Sequence, residues 1–142
     1  MNKSRRKRKV VIMDTDIIIH SLENKIDFMN EIIAIIEHPV KLCVTSSTLR
    51  ELEKMAKRGS WRISRIANIA LNLLKKKSIE VIDDEYLGEL STDEKIAILA
   101  EKLEGIVATD DRELRKRLKE KGIPVIYVRE ESKLVLDRNI YW

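Results

Sequence analysis

Short apolar runs rich in β-branched residues alternate with amphipathic segments along the chain, and this alternation restricts the fold more than any other feature. The apolar runs predict strands at 10–12, 41–45, 79–82, 106–109 and 124–128. Helical spacing of apolar residues predicts helices over 27–37, 47–58, 61–77, 91–104 and 110–121. Strands that alternate with helices form parallel sheets with right-handed crossovers. The sequence therefore predicts an α/β fold with a central parallel five-stranded sheet, with 134–136 as a candidate edge strand.

The length of 142 residues is sufficient for one domain with a sizeable core. We predict a basic arm over 1–8 and a single domain over 9–142, with a C-terminal tail from about residue 129. No apolar run has the length of a membrane span, and no secretory signal is evident. We therefore expect a cytoplasmic protein without membrane contact. Its single cysteine, Cys43, lies in an apolar run and is expected in the core.

The basic excess of the chain is concentrated at its amino terminus. The net charge is +4, yet residues 1–9 contain six cations and no acid, so the remainder is slightly acidic. Arg5, Arg6 and Arg8 belong to this arm. A basic arm favours a polyanionic partner such as nucleic acid. The alternative is a solvated terminal tail.

Four acids occupy equivalent places in the predicted fold. Asp14 ends the first strand, and Glu51 lies in the first turns of the helix after the second strand. Asp93 is in the first turn of the 91–104 helix, and Asp111 follows the fourth strand. Carboxyl ends of parallel strands and the beginnings of the following helices share one edge of the sheet. The four carboxylates are therefore predicted to converge.

Most of these acids, taken singly, also have a structural explanation. Thr48 with Glu51, and Ser91 with Glu94, have the spacing of a capping box, and acids in a first turn complement the helix dipole. Asp14 is harder to explain in this way, because no helical stripe is evident after it. Convergence of the four acids favours a functional explanation over a structural one, because two carboxylates about 4 Å apart repel by roughly 4 kcal/mol at an effective dielectric constant of 20. Such a cluster requires protons or cations, and oxygen ligands select Mg²⁺ or Mn²⁺, ions that suit phosphodiester cleavage.

The sequence also offers candidate contacts for a phosphate backbone. The helix that follows the fourth strand carries a basic face formed by Arg112, Arg115, Lys116, Lys119 and Lys121. The alternative is an ordinary solvated helix, because acids are interleaved with these cations. Trp61 either stacks on a base or packs on its neighbours. His20 and His38 have no partner at metal-ligand spacing, so a zinc site is not expected.

Four segments resemble the motifs of the PIN-domain nucleases. They are VIMDTD at 11–16, LRELEK at 49–54, TDEKI at 92–96 and VATDDREL at 107–114. The similarity runs from about residue 9 to residue 133. Within that superfamily the chain is most similar to the Fcf-type branch, which processes ribosomal RNA, through 15–25 and 108–127. The resemblance implies a three-layer α/β/α sandwich, a site for Mg²⁺ or Mn²⁺, and endonucleolytic cleavage of RNA.

The resemblance also assigns roles to individual residues. The implied catalytic acids are Asp14, Glu51, Asp93 and Asp111. The first, third and fourth of these are the implied metal ligands. Thr109 matches a hydroxyl residue that lies beside the site. Asp16 stands where the family usually has asparagine, and its role is open between a further ligand and a charge that raises the metal requirement.

Three functions follow from this sequence as hypotheses. The first is a metal-dependent endoribonuclease that acts on a ribosomal RNA precursor. The second is a toxin-type PIN ribonuclease controlled by an antitoxin. The third is a non-catalytic RNA-binding assembly module, whose acids are only helix starts. A homodimer that uses the isoleucine-rich helix 27–37 is a further hypothesis on partners.

Overall fold

The computed structural model describes residues 7–137, which form six strands and six α-helices, five of them predicted. In chain order the elements are β1 (Lys9–Met13), α1 (Thr15–Glu23), α2 (Phe28–Ile36), β2 (Val40–Thr45), α3 (Ser46–Arg58), α4 (Trp61–Lys76), β3 (Glu80–Ile82), α5 (Thr92–Leu103), β4 (Ile106–Ala108), α6 (Arg112–Glu120), β5 (Val125–Arg129) and β6 (Lys133–Asp137). None of the helices in this part of the chain has the length and apolar character needed to cross a membrane. Arg5 and Arg6 lie outside the described residues, and Arg8 is exposed.

One sheet, in the order β3-β2-β1-β4-β5-β6, organises the molecule. The first five strands in this order are parallel to their neighbours, which confirms the predicted parallel sheet. The candidate edge strand is β6, which pairs antiparallel with β5 and places Leu136 opposite Ile126. Only the short segment 130–132 separates β5 from β6, and a connection of this length permits antiparallel pairing alone.

Helices cover both faces of the sheet, as the predicted three-layer sandwich requires. Val11 and Met13 of β1 belong to a core shared with α1, α2, α3 and α4. Ile12, which lies between them, belongs to the opposite core with Leu114 and Leu118 of α6 and with buried residues of α5. This division follows from the two-residue period of a strand. Cys43 is buried, as expected.

Helix α1 was not predicted, because the run Ile17–Ile19 obscures the helical period. Helix α1 begins immediately after β1, and the Asp14 side chain caps it by accepting the Ile17 N–H at 2.9 Å. Ile17 and Ile18 are both buried. The expectation that no helix begins at Asp14 is therefore wrong.

The two predicted capping boxes have different outcomes. Ser91 and Glu94 form the reciprocal capping box at the start of α5. The box predicted between Thr48 and Glu51 does not form, because α3 begins earlier and Thr45 is its cap, accepting the Thr48 N–H at 3.1 Å. Glu51 is therefore available for other contacts.

Helix α2 is packed on the sheet. Its buried apolar residues are Phe28, Met29, Ile32 and Ile36. Ile33 is 48% exposed, and Glu31 accepts the Leu134 N–H of β6 at 2.9 Å. Most of the apolar surface of the helix considered for a dimer interface is therefore used in the core, whereas Ile33 stays exposed. A homodimer stays a hypothesis.

Candidate active site

The carboxyl edge of the sheet brings Asp14, Thr109 and Asp111 into one hydrogen-bonded group. The Asp14 N–H donates to the Ala108 carbonyl at 3.0 Å, which ties the end of β1 to the end of β4. The Thr109 hydroxyl donates to Asp14 Oδ2, and Thr109 Oγ1 accepts the Asp111 N–H at 3.1 Å. Asp111 in turn caps α6 by accepting the N–H groups of the first turn. Thr109 thus links the Asp14 carboxylate to the backbone of Asp111.

Glu51 links three helices at the same edge. Its Oε1 accepts a hydrogen bond from the Thr15 hydroxyl, at the start of α1. Its Oε2 accepts the Thr92 hydroxyl at 2.8 Å, from the start of α5. The Glu51 carboxylate of α3 is thereby held between the first residues of α1 and α5. These two helices carry Asp16 and Asp93 in their first turns.

Five carboxylates at this edge form an acidic cluster, which comprises Asp14, Asp16, Glu51, Asp93 and Asp111. Burial of Asp14, which is 3% exposed, raises its pKa to about 8, and the charges of Asp16 and Asp93 act in the same direction. Hydrogen bonds to Asp14 from Thr109 and Ile17 lower its pKa but do not offset the burial.

Two other members of the acidic cluster, Asp16 and Asp93, also have raised pKa values. For Asp16, desolvation comes first, followed by the charges of Asp111 and Glu51. For Asp93, desolvation again comes first, followed by Asp111, Asp16 and Glu51, with Arg117 acting in the opposite direction. Asp16 and Asp93 therefore connect the acids of the separate motifs, since Asp14 lies within electrostatic reach of both, and so do Glu51 and Asp111.

The acidic cluster has the donor chemistry of a divalent-cation site, although its side chains are not arranged as a closed ligand set. Between residues 7 and 137, no three His, Cys, Asp or Glu side chains stand close enough together to hold a metal ion. Mg²⁺ in proteins is commonly held by one or two carboxylates and several waters. Burial, and to a lesser degree mutual repulsion, raises the pKa values of Asp14, Asp16 and Asp93, and a bound cation would offset both effects. The oxygen donors of the acidic cluster therefore suit such an ion, and the assignment of Asp14, Asp93 and Asp111 as its ligands stays a prediction.

Sequence reasoning missed a pair of residues beside the acidic cluster. His20 Nδ1 lies 2.7 Å from Asp110 Oδ2, and Asp110 Oδ1 accepts the Val128 N–H at 2.8 Å. The pair joins α1 to the loop after β4 and to β5. His20 and Asp110 are 90 positions apart, so no local pattern signals their contact.

A buried polar network behind the acidic cluster was also missed. Asp84 Oδ1 accepts the Ser46 hydroxyl at 2.6 Å, the Ser47 hydroxyl at 2.9 Å and the Ser47 N–H at 3.2 Å. Lys95, which is 6% exposed, donates from Nζ to Ser47 Oγ at 3.3 Å. The network joins the first turns of α3 and α5, which carry Glu51 and Asp93. A lysine in the first turn of a helix gives no sequence signal that it is buried.

The basic residues of α6 are divided between two uses. Arg112 and Lys116 are exposed, as a phosphate track requires. Arg115 instead stacks on Tyr127, with its guanidinium carbon 3.7 Å from the ring centroid. Arg117, absent from the predicted track, lies near enough to Asp93 to lower its pKa. The cations nearest the acidic cluster therefore include one that helical spacing did not single out.

The sheet order, the three layers and the acidic cluster at the carboxyl edge together define the class of PIN domains. Residues 11–131 match the model of the family described as a PIN like domain, and the chain belongs to this family.

Relatives of known name cover most of the chain. Ribonuclease VapC9 of Archaeoglobus fulgidus is 32% identical over 133 residues, covering 92% of this chain and 91% of that protein. Ribonuclease VapC4 of Methanocaldococcus jannaschii is 31% identical over 123 residues, covering 86% and 92%. The rRNA-processing protein FCF1 homolog of Homo sapiens is 24% identical over 119 residues, covering 83% of this chain and 56% of that protein. Among solved structures, the PIN domain endonuclease Utp24 has a TM-score of 0.75 and 26% identity, with 92% of each chain covered.

Proposed function

We propose that this chain is a divalent-metal-dependent endoribonuclease that hydrolyses RNA phosphodiester bonds with Mg²⁺ or Mn²⁺. The observation that carries the proposal is the acidic cluster, in which Asp14 is buried and has a pKa raised to about 8 by burial and by neighbouring acids. Such an arrangement is unfavourable for folding alone and suits the binding of a cation. The ribonucleases and the endonuclease that this chain resembles support the same reaction class.

The residues of the acidic cluster have different roles in the proposed hydrolysis. A divalent cation, when bound, activates water and neutralises the charge that develops on the phosphate. Asp14, Asp93 and Asp111 would hold the ion. Thr109 and the Ile17 N–H fix the Asp14 carboxylate, so that its orientation does not depend on the ion. Glu51, which two hydroxyl groups hold by hydrogen bonds, would orient an attacking water.

Replacement of Asp14 by Asn tests the proposal directly. Mn²⁺-dependent cleavage of a structured RNA is expected to fall by about 1000-fold, because loss of a ligand carboxylate removes several kcal/mol of charge stabilisation. Glu89→Gln, which changes an exposed acid outside the acidic cluster, is the matched control and should cleave like wild type. Unchanged cleavage by Asp14→Asn would remove the site assignment.

Calorimetric titration of Mn²⁺ separates metal binding from cleavage. Wild type is expected to bind the ion with clearly higher affinity than Asp93→Asn, since Asp93 is an expected ligand whose repulsion with Asp16 and Asp111 the ion relieves. Equal binding by the two proteins would leave the family and the fold standing without the metal site.

Two biological settings have support, and both use the same chemistry. The match to the VapC relatives over nearly their full length favours a toxin-type ribonuclease. The structural match to Utp24, with the partial match to FCF1, favours maturation of ribosomal RNA. Growth arrest on expression, abolished by Asp14→Asn, would indicate the toxin. Accumulation of ribosomal RNA precursors on depletion, without growth arrest on expression, would indicate processing.

A further inference from the structure

One face of α3 forms a groove that leads away from the acidic cluster. Residues 47, 50, 51, 54, 57 and 58 recur every three or four positions and therefore share a face of the helix. They line a groove of about 530 Å³ with Glu53 and with Thr92, the residue that bonds to Glu51. Because Glu51 belongs to both the groove and the acidic cluster, the groove opens directly onto the candidate active site.

Beyond Glu51, the groove is lined by cations. Lys54, Lys57 and Arg58 are exposed, and within the described part of the chain none of them pairs with an acid. Glu53 is the one acid among residues 52–58. The distance along α3 from Glu51 to Arg58 is about 10 Å at the usual rise per residue. A polyanion held on these three cations would therefore reach the acidic cluster with its backbone.

Trp61 lies where the groove ends and α4 begins, and its side chain is 79% exposed. A tight turn holds it there, because a Cβ on Gly59 would lie 2.6 Å from the Met55 carbonyl oxygen and 2.8 Å from Ile63 Cγ2. The guanidinium carbon of Arg65 lies 5.9 Å from the centroid of the Trp61 ring. An open indole ring beside a row of cations has the two components with which proteins bind single-stranded nucleic acid.

We propose that this α3 groove and Trp61 bind a single-stranded segment of RNA and guide it into the acidic cluster. Lys54, Lys57 and Arg58 contact phosphates, and Trp61 stacks on one base. The segment is single-stranded because a base inside a duplex has no free face for the ring. An acidic protein partner would pair with the cations but would provide no base on which the exposed Trp61 ring could stack. This inference rests on the proposed function and adds the form of the substrate to it.

Binding is measured by fluorescence anisotropy with a labelled oligouridylate of about 12 nucleotides, a length within the range of single-strand sites. Chelation of divalent ions with EDTA prevents cleavage. Trp61→Ala is expected to weaken binding about tenfold, whereas Trp61→Phe, which keeps a ring, retains most of the affinity. The double variant Lys54→Gln/Lys57→Gln should reduce the slope of log K against log salt by about 1.4.

The matched control is Lys75→Gln/Lys76→Gln, which removes two exposed cations about 21 Å from Trp61 along α4. This variant should bind the oligouridylate like wild type. Unchanged affinity of Trp61→Ala, at a wild-type melting temperature, overturns the inference. Equal loss in the control also overturns it. If polyglutamate competes as well as RNA and Trp61→Ala has no effect, the groove is a protein-docking surface and the inference is wrong.

Failure of the proposed function is distinguishable from failure of this inference. Asp14→Asn should bind the oligouridylate like wild type in EDTA, because Asp14 is not among the residues that line the groove. If wild type shows the Trp61 effect in EDTA but cleaves no RNA with Mn²⁺ or Mg²⁺, the endoribonuclease proposal fails. The groove would then still be a single-strand binding site.

Discussion

Asp14 has two opposite effects on the free energy of unfolding. Its carboxylate caps α1 and accepts the Thr109 hydroxyl, which favours the folded state. Its burial raises its pKa to about 8, which penalises the charged form that a cation requires. The same residue therefore stabilises the local backbone and carries a desolvation cost when charged, which a bound divalent ion would offset.

This conflict predicts how the stability of the metal-free protein depends on pH. Between about pH 4 and pH 8 folded Asp14 holds a proton that the unfolded chain has released, because its pKa rises from 3.8 to about 8 on folding. The free energy of unfolding, measured with urea in EDTA, should therefore decrease as the pH rises through this window. Asp16 and Asp93 contribute with the same sign, since their pKa values are also raised.

Asp14→Asn should flatten this pH dependence and make the metal-free protein more stable than wild type at pH 8. Asparagine keeps an oxygen for the Ile17 N–H but carries no charge to bury. Mn²⁺ added at pH 8 should raise the stability of wild type much more than that of the variant. An equally steep pH dependence in the variant would show that Asp14 is not the buried acid responsible.

Individual residues also show how far sequence reasoning reaches. The positions of Asp14 and Asp111 at strand ends follow from the pattern of apolar runs, so the parallel topology was enough to place them at one edge. The contacts of His20 with Asp110, and the proximity of Arg117 to Asp93, depend on side-chain directions between distant segments. No periodicity or motif in a single sequence encodes such a direction.

At the scale of elements, the first turns of α3 and α5 are joined by the Asp84 network. Removing this carboxylate with Asp84→Ala leaves the Ser47 N–H and two hydroxyls without their acceptor, and leaves Lys95 buried without its neighbouring charge. We expect a loss of about 3 kcal/mol in the free energy of unfolding at pH 7, from urea titration. Cleavage should also fall, because α3 and α5 carry Glu51 and Asp93.

The adjacent acid provides the control for this prediction. Asp83→Ala changes an exposed side chain, whose bond is to the Glu85 N–H at 3.2 Å, and should alter stability by no more than about 0.5 kcal/mol. The pKa of Asp84 is lowered by its serine and threonine donors and by Lys95, although burial opposes them. Its contribution to stability should therefore be present above its ordinary pKa and disappear in strong acid. Similar losses in both variants would contradict a specific role for Asp84.

The helices differ in how clearly they can be predicted from the sequence. Ser91 was identified as part of a capping box, and α5 begins immediately after it. Helix α1 was missed because β-branched residues occupy its interior, where they indicate a strand by propensity. Its helical state depends on the Asp14 cap and on packing of Ile17 and Ile18 into the core, both of which are tertiary effects.

Across the whole molecule, opposite charges are separated onto adjoining surfaces. The acidic cluster lies at the carboxyl edge, the cationic groove of α3 leads to it, and the exposed cations of α6 belong to the helix that Asp111 caps. An RNA backbone crossing this edge would contact cations before and after the acids. The sequence predicted the arm and α6 as the basic surfaces. The α3 groove was not predicted, because it forms only where one face of α3 lies beside Thr92 of α5.

The basic arm can be tested separately from the folded domain. Deletion of residues 2–8 removes five cations, while β1 begins at Lys9 and keeps its pairing with β2 from Val40. We expect an unchanged melting temperature, weaker binding of single-stranded RNA, and a salt slope reduced by up to about 3.5. The cleavage rate at saturating RNA should stay at the wild-type value, because the deletion leaves the acidic cluster intact. A same-length arm with serine at the five positions separates charge from length, and should behave like the deletion. If the slope is unchanged in both proteins, the arm is a solvated tail, and the phosphate contacts belong to the folded domain.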